Sequence, residues 1–61
     1  MRATAKRVKE IREGLKLTQS AFAELIGVTE RSIRRWENDE HKPHPLILEK
    51  MEHYARNGAK A

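Results

Sequence analysis

Between Thr29 and Asn38 the chain reads TERSIRRWEN, the stretch in which side chains able to recognise another molecule are most concentrated. Arg31, Arg34 and Arg35 each present a planar fork of donors that fits guanine O6 and N7 or a phosphate. Glu30 can accept a hydrogen bond from cytosine, while Thr29, Ser32 and Asn38 offer both donors and acceptors. In a helix, at about 100° per residue, Arg31, Arg34, Arg35 and Asn38 fall on one side and Thr29, Ile33 and Trp36 on the other. One side is basic and the other can pack. The competing use of the same residues is a solvated face on which Glu30 pairs with Arg34 four positions on, worth about 0.2 to 0.5 kcal/mol.

A second candidate lies ten residues upstream of Thr29. Thr18 is suited to cap a helix that opens with Gln19, where free backbone N–H groups, the positive dipole end and the Gln19 amide can hold a phosphate oxygen. Contacts of that kind, which Ser32 and Asn38 can also make, fix register rather than sequence. Catalytic chemistry finds no support: Ser20, Ser32 and the histidines form no nucleophile, base and orienter pattern, and there is no glycine-rich phosphate loop. His41, His44 and His53 fall short of the four ligands that structural zinc takes, and the chain has no cysteine, so no metal and no cofactor is expected. The expected ligand is double-stranded DNA, with no small-molecule substrate.

Four helical patterns position these residues. From Thr4, the expected cap, to Leu15, apolar residues recur at Ala5, Val8, Ile11 and Leu15, with Gly14 weakening the last turn and a stop near Lys16. Lys6, Arg7, Lys9, Glu10 and Glu13 share the opposite side, and the early basic run Arg2, Lys6, Arg7, Lys9 and Arg12, most simply a solvated face, is a second candidate for phosphate contact. Gln19 to Ile26 places Phe22, Leu25 and Ile26 on one face, and Gly27 closes it in the left-handed conformation. Thr29 caps the third helix almost at once. A polar loop follows to His44, the expected cap of a fourth helix with Pro45 at its first position. Leu48, Met51 and Ala55, with Leu46, Ile47 and Tyr54 beside them, are its apolar face, and residues 57–61 are expected to fray.

Two short helices joined by a residue or two must cross steeply, which makes residues 18–38 a helix-turn-helix unit. Ala23 and Gly27 allow the close approach, and Ile33 and Trp36 fill the space beneath, so these four are the expected structural core. Glu37 is expected to brace the third helix, with a partner in another helix that the sequence does not name.

The chain has 61 residues, enough for a single domain spanning 1–61 with a small core. Its 13 Lys and Arg against 9 Asp and Glu leave a net charge of +4, compatible with a polyanionic partner and equally with ordinary solubility. No apolar run approaches the roughly 18 residues of a membrane span, and MRATAKRVKE lacks a secretory signal, so a cytoplasmic protein is expected.

Taken together, LTQSAFAELIGVTERSIRRWEND closely resembles the Xre/Cro-like helix-turn-helix family of bacterial and phage repressors. Its markers are Thr18-Gln19 opening the second helix, then Ala23, Gly27, Val28 and Ile33, and Trp36-Glu37 closing the third. The resemblance spans about Val8 to Tyr54. It implies an all-α fold, a compact lambda-repressor-like bundle of four to five short helices, that binds operator DNA as a homodimer and regulates transcription as a repressor. It further implies that Gln19 and Asn38 contact phosphate and that Thr29 to Arg35 read bases. Lys16 and Asp39 stand where the family often has glycine, and little chain follows Arg56 for a fifth helix. With Glu37 and Glu40, Asp39 also makes an acidic cluster near the expected DNA backbone. The alternative on the same fold is a protein-interaction module, an antitoxin or adaptor whose partner, such as a toxin, would meet Leu46, Ile47 and Tyr54.

Overall fold

The computed structural model describes residues 3–59. Within them the chain forms four helices and no strands: α1 (Ala3–Gly14), α2 (Gln19–Ile26), α3 (Glu30–Glu37) and α4 (Pro45–Asn57). The fold is the all-α bundle expected, with four helices among the described residues.

Each helix exists because an apolar stripe meets a well-made end. Ala5, Val8 and Ile11 are buried along α1, and Phe22, Ala23 and Ile26 along α2. Ile33 of α3 and Met51 of α4 complete a single cluster, both fully enclosed. Full burial of such a side chain stabilises by about 1.5 to 3 kcal/mol. Helix α1 packs against α3 and α4, and α2 against the same two.

The N-termini of α2, α3 and α4 are capped as the sequence predicts. Thr18 accepts from the Ala21 amide at 3.1 Å, Thr29 from Ser32 at 3.1 Å, and His44 Nδ1 from Leu46 at 3.1 Å. Thr4 is different: α1 already includes Ala3, so Thr4 sits inside the first turn rather than capping it. In α4 the expected apolar face is narrower than drawn, since Leu46 is 68% exposed and Ala55 is exposed too. Asn57 is still helical, Gly58 closes the helix on the Tyr54 carbonyl, and the last residues of the expected frayed tail lie outside the described ones.

The first three helices share one C-terminal device. A residue in the left-handed region, Lys16 (φ 60°), Gly27 (φ 91°) or Asp39 (φ 62°), follows each helix. The next amide then reaches back five residues: Leu17 to the Arg12 carbonyl (3.2 Å), Val28 to Ala23 (3.0 Å) and Glu40 to Arg35 (2.9 Å). Glycine takes that conformation freely at the second site; at the first and third an L side chain does so at some strain. Lys50 of α4 adds a brace at the middle end, donating from Nζ to the Ile26 carbonyl at 2.8 Å.

Candidate nucleic-acid interface

The α2–α3 unit turns within Gly27, Val28 and Thr29, so α3 is thrown across α2 by the left-handed glycine and started again by the Thr29 hydroxyl. Thr29 Oγ1 is also 3.0 Å from Ser32 Oγ. Both residues therefore serve the first turn of α3. Thr29 is exposed at the helix end and not on the packed side with Ile33, because a cap lies outside the helical phase.

On the outer side of α3, Glu30, Arg31 and Arg34 are all exposed. The Glu30 carboxylate comes within 3.9 Å of Arg34, a loose pair that leaves both groups solvated. Arg31 makes no hydrogen bond or ion pair with any described residue. Arg35 is half-buried, its Nη2 hydrogen-bonded to His41 Nε2 in the loop that follows. Asn38 is exposed and closes α3 through its backbone N–H to the Arg34 carbonyl at 2.9 Å.

The inner side differs from expectation at three residues. Ile33 and Ala23 are buried, but Trp36 is half-buried against the core's edge and Gly27 is exposed. Gly27 does its work through its backbone dihedral rather than by being enclosed. Glu37 makes the larger correction. Only 5% exposed, it is no part of an acidic surface cluster with Asp39 and Glu40.

Its carboxylate is gripped by Arg12 of α1, with Nε donating to Oε2 at 2.7 Å and Nη2 to Oε1 at 3.2 Å. The same guanidinium donates from Nη1 to the Leu17 carbonyl at 3.0 Å, between α1 and α2. Gln19, the first residue of α2, donates its Nε2 to Glu37 Oε1 at 3.3 Å. One carboxylate thus joins three helices. The hydrogen bond to Glu37 holds Arg12 still more firmly protonated than usual. The rest of the α1 basic face divides: Arg7 is committed to Glu52 of α4 at 2.8 and 2.6 Å, while Lys6 and Lys9 are exposed and Arg2 lies outside the described residues. Two of the five cations on that face are thus spent inside the fold, which weakens it as a phosphate-contacting surface.

The frame therefore delivers an exposed arginine pair on α3, a helix N-terminus carrying Gln19, and a buried ion pair that fixes one relative to the other. A family model described as helix-turn-helix matches residues 8–55, which takes in all four helices and every residue of this arrangement except the first and last turns. The chain belongs to the Xre/Cro-like helix-turn-helix family. Membership makes it a double-stranded DNA-binding domain. Among curated proteins, it is similar to a type II methyltransferase, M.SsoII of Shigella sonnei, at 49% identity over 39 residues. That match covers 59% of this chain and only 10% of the methyltransferase. No solved structure matches the chain. Among the described residues no helix of the domain is long and apolar enough to cross a membrane.

The helix-turn-helix residues were readable because caps and periodicity are local. The residue that sequence reasoning placed without its partners is Glu37, and the signal that could have found them is weak: Arg12 has apolar neighbours at Val8, Ile11 and Leu15, so its stem must leave α1 beside the core.

Proposed function

We propose that this domain recognises a short operator sequence in double-stranded DNA and acts as a transcriptional regulator, most simply a repressor that blocks the site it occupies. Helix α3 enters the major groove. Arg31 and Arg34 read bases from its outer face, with Arg35, Glu30 and Thr29 beside them, while Gln19, Ser32 and Asn38 meet the phosphate backbone. The observation that carries this is the exposed α3 arginines on a helix whose opposite side is locked by Ile33 and Glu37. A recognition helix must be rigid behind and free in front.

The reading is of a binding domain without catalysis of its own. The methyltransferase similarity supports it as a DNA-directed unit carried in a larger chain; methylation is not assigned to these residues, given the small share of that protein matched. A homodimer on two half-sites about one helical turn apart is the arrangement proposed. An antitoxin or adaptor role would call on Leu46, yet one exposed leucine is ordinary on a small domain.

Selection of bound sequences from a random duplex pool tests the proposal. An enriched motif, with two-fold symmetry and loss of enrichment in Arg31→Ala, is the expected result. Recovery of unenriched sequence, with the arginine variant binding as well as the parent, would refute it.

A further inference from the structure

The three arginines of α3 stand in three different states. Arg31 is free of any described partner, Arg34 leans on Glu30 at 3.9 Å, and Arg35 is held by His41. Arg35 lies in the last turn of α3, away from the N-terminal end that goes deepest into a groove. From there a flexible side chain must be aimed to reach a base edge.

We infer that His41 is a positioning residue for Arg35, holding its guanidinium in the orientation that reads a base pair and so setting part of the sequence specificity. This rests on the proposal that α3 is the recognition helix. Arginine has no acceptor, so in this contact the guanidinium donates and His41 Nε2 is the acceptor. The contact uses one N–H of Nη2. Four of the five guanidinium donors remain, enough for a bidentate approach to guanine O6 and N7. Holding a rotamer-rich side chain before binding removes part of the ordering cost, an effect of roughly threefold to tenfold in affinity. That gain accrues only to DNA offering the acceptors where the fork already points.

Both residues sit at the surface end of α3, and the loop itself is secured independently by the Glu40 amide on the Arg35 carbonyl and by buried Pro43. His41 is exposed, and its side chain makes no other hydrogen bond or ion pair with a described residue.

The test measures binding of parent, His41→Ala, Arg35→Ala and the double variant to a panel of single-base changes in the selected duplex, after melting curves confirm equal folding. Arg35→Ala should flatten discrimination at one base pair. His41→Ala should lower it at that same pair by roughly threefold to tenfold, leave the pair read by Arg31 unchanged, and add nothing in the Arg35→Ala background. His41→Gln, whose amide oxygen can accept in place of Nε2, should recover part of the loss. Unchanged discrimination in His41→Ala, or a loss of equal size when Arg35 is already gone, overturns the inference. So does Arg35→Ala without effect at any pair, while Arg31→Ala still weakens binding; if no α3 arginine matters to binding, the recognition-helix reading itself fails.

Discussion

Removing either partner of the Arg12–Glu37 pair should unfold a large fraction of the protein, and the two removals should differ. Breaking a buried pair from one side costs about 3 to 5 kcal/mol, because an uncompensated charge stays behind. Glu37 is 5% exposed and Arg12 15%. Glu37→Ala leaves a long guanidinium stem that can swing into water, so its cost belongs near the low end, about 3 kcal/mol. Arg12→Met keeps the packing of the stem but strands a short, enclosed carboxylate with only the Gln19 amide at 3.3 Å, and it also abandons the Leu17 carbonyl. Its cost belongs near about 5 kcal/mol. Against a total of about 3 to 9 kcal/mol for a chain of 61 residues, either is severe. Urea unfolding followed by circular dichroism measures both, together with the double variant Arg12→Met, Glu37→Leu. The double variant should recover most of the loss, since no charge is then stranded. Single variants within about 1 kcal/mol of the parent, the scale of exposed pairs, would refute the idea that this ion pair is desolvated.

Ile33→Ala, which empties a fully enclosed site in α3, should cost about 2 to 5 kcal/mol by the same unfolding measurement. Arg31→Ala should lose about 1 to 3 kcal/mol on the preferred duplex and relax one base pair, whereas Gln19→Ala should weaken all sequences alike; titrating both against single-base variants separates the roles. Acid should loosen the α1–α4 contact. The hydrogen bond from Arg7 holds the Glu52 carboxyl below the usual glutamate value of about 4.3, so the pair's contribution is present above that pH and is lost as pH falls through the lower folded value. Unfolding midpoints at neutral and acid pH should show a smaller drop in Glu52→Gln than in the parent, and an equal drop would refute the pairing.

What could be read from the sequence was what depends on near neighbours. Caps at Thr18, Thr29 and His44 act within three residues, and the buried stripes of α1 and α2 follow one helical period, so elements and core emerged without the structure. The exposure of Glu30, Arg31 and Arg34 followed from the same period. Phase failed where it is marginal or where another element intervenes. Trp36 lies about 60° around the helix from Ile33, far enough to reach the rim of the core rather than its interior. Arg35 points away from Ile33 and is half-buried all the same, since the His41 loop folds back on it. Glu37 is enclosed by a guanidinium 25 residues away, and no local pattern encodes that distance.

The left-handed residues at Lys16 and Asp39 leave this fold with unused mutational headroom. Each sits just past a helix, at a site where glycine would relieve about 1 to 2 kcal/mol of backbone strain, offset in part by the greater freedom glycine gives the unfolded chain. Lys16 lies outside α3 altogether and is exposed. A chain with so small a core tolerates few disruptive changes on its reading helix before it ceases to fold. A substitution at Lys16 that restores stability would let more of them accumulate, so the turn after α1 is where a lineage, or an engineer, would begin if the aim were to teach this domain a new sequence.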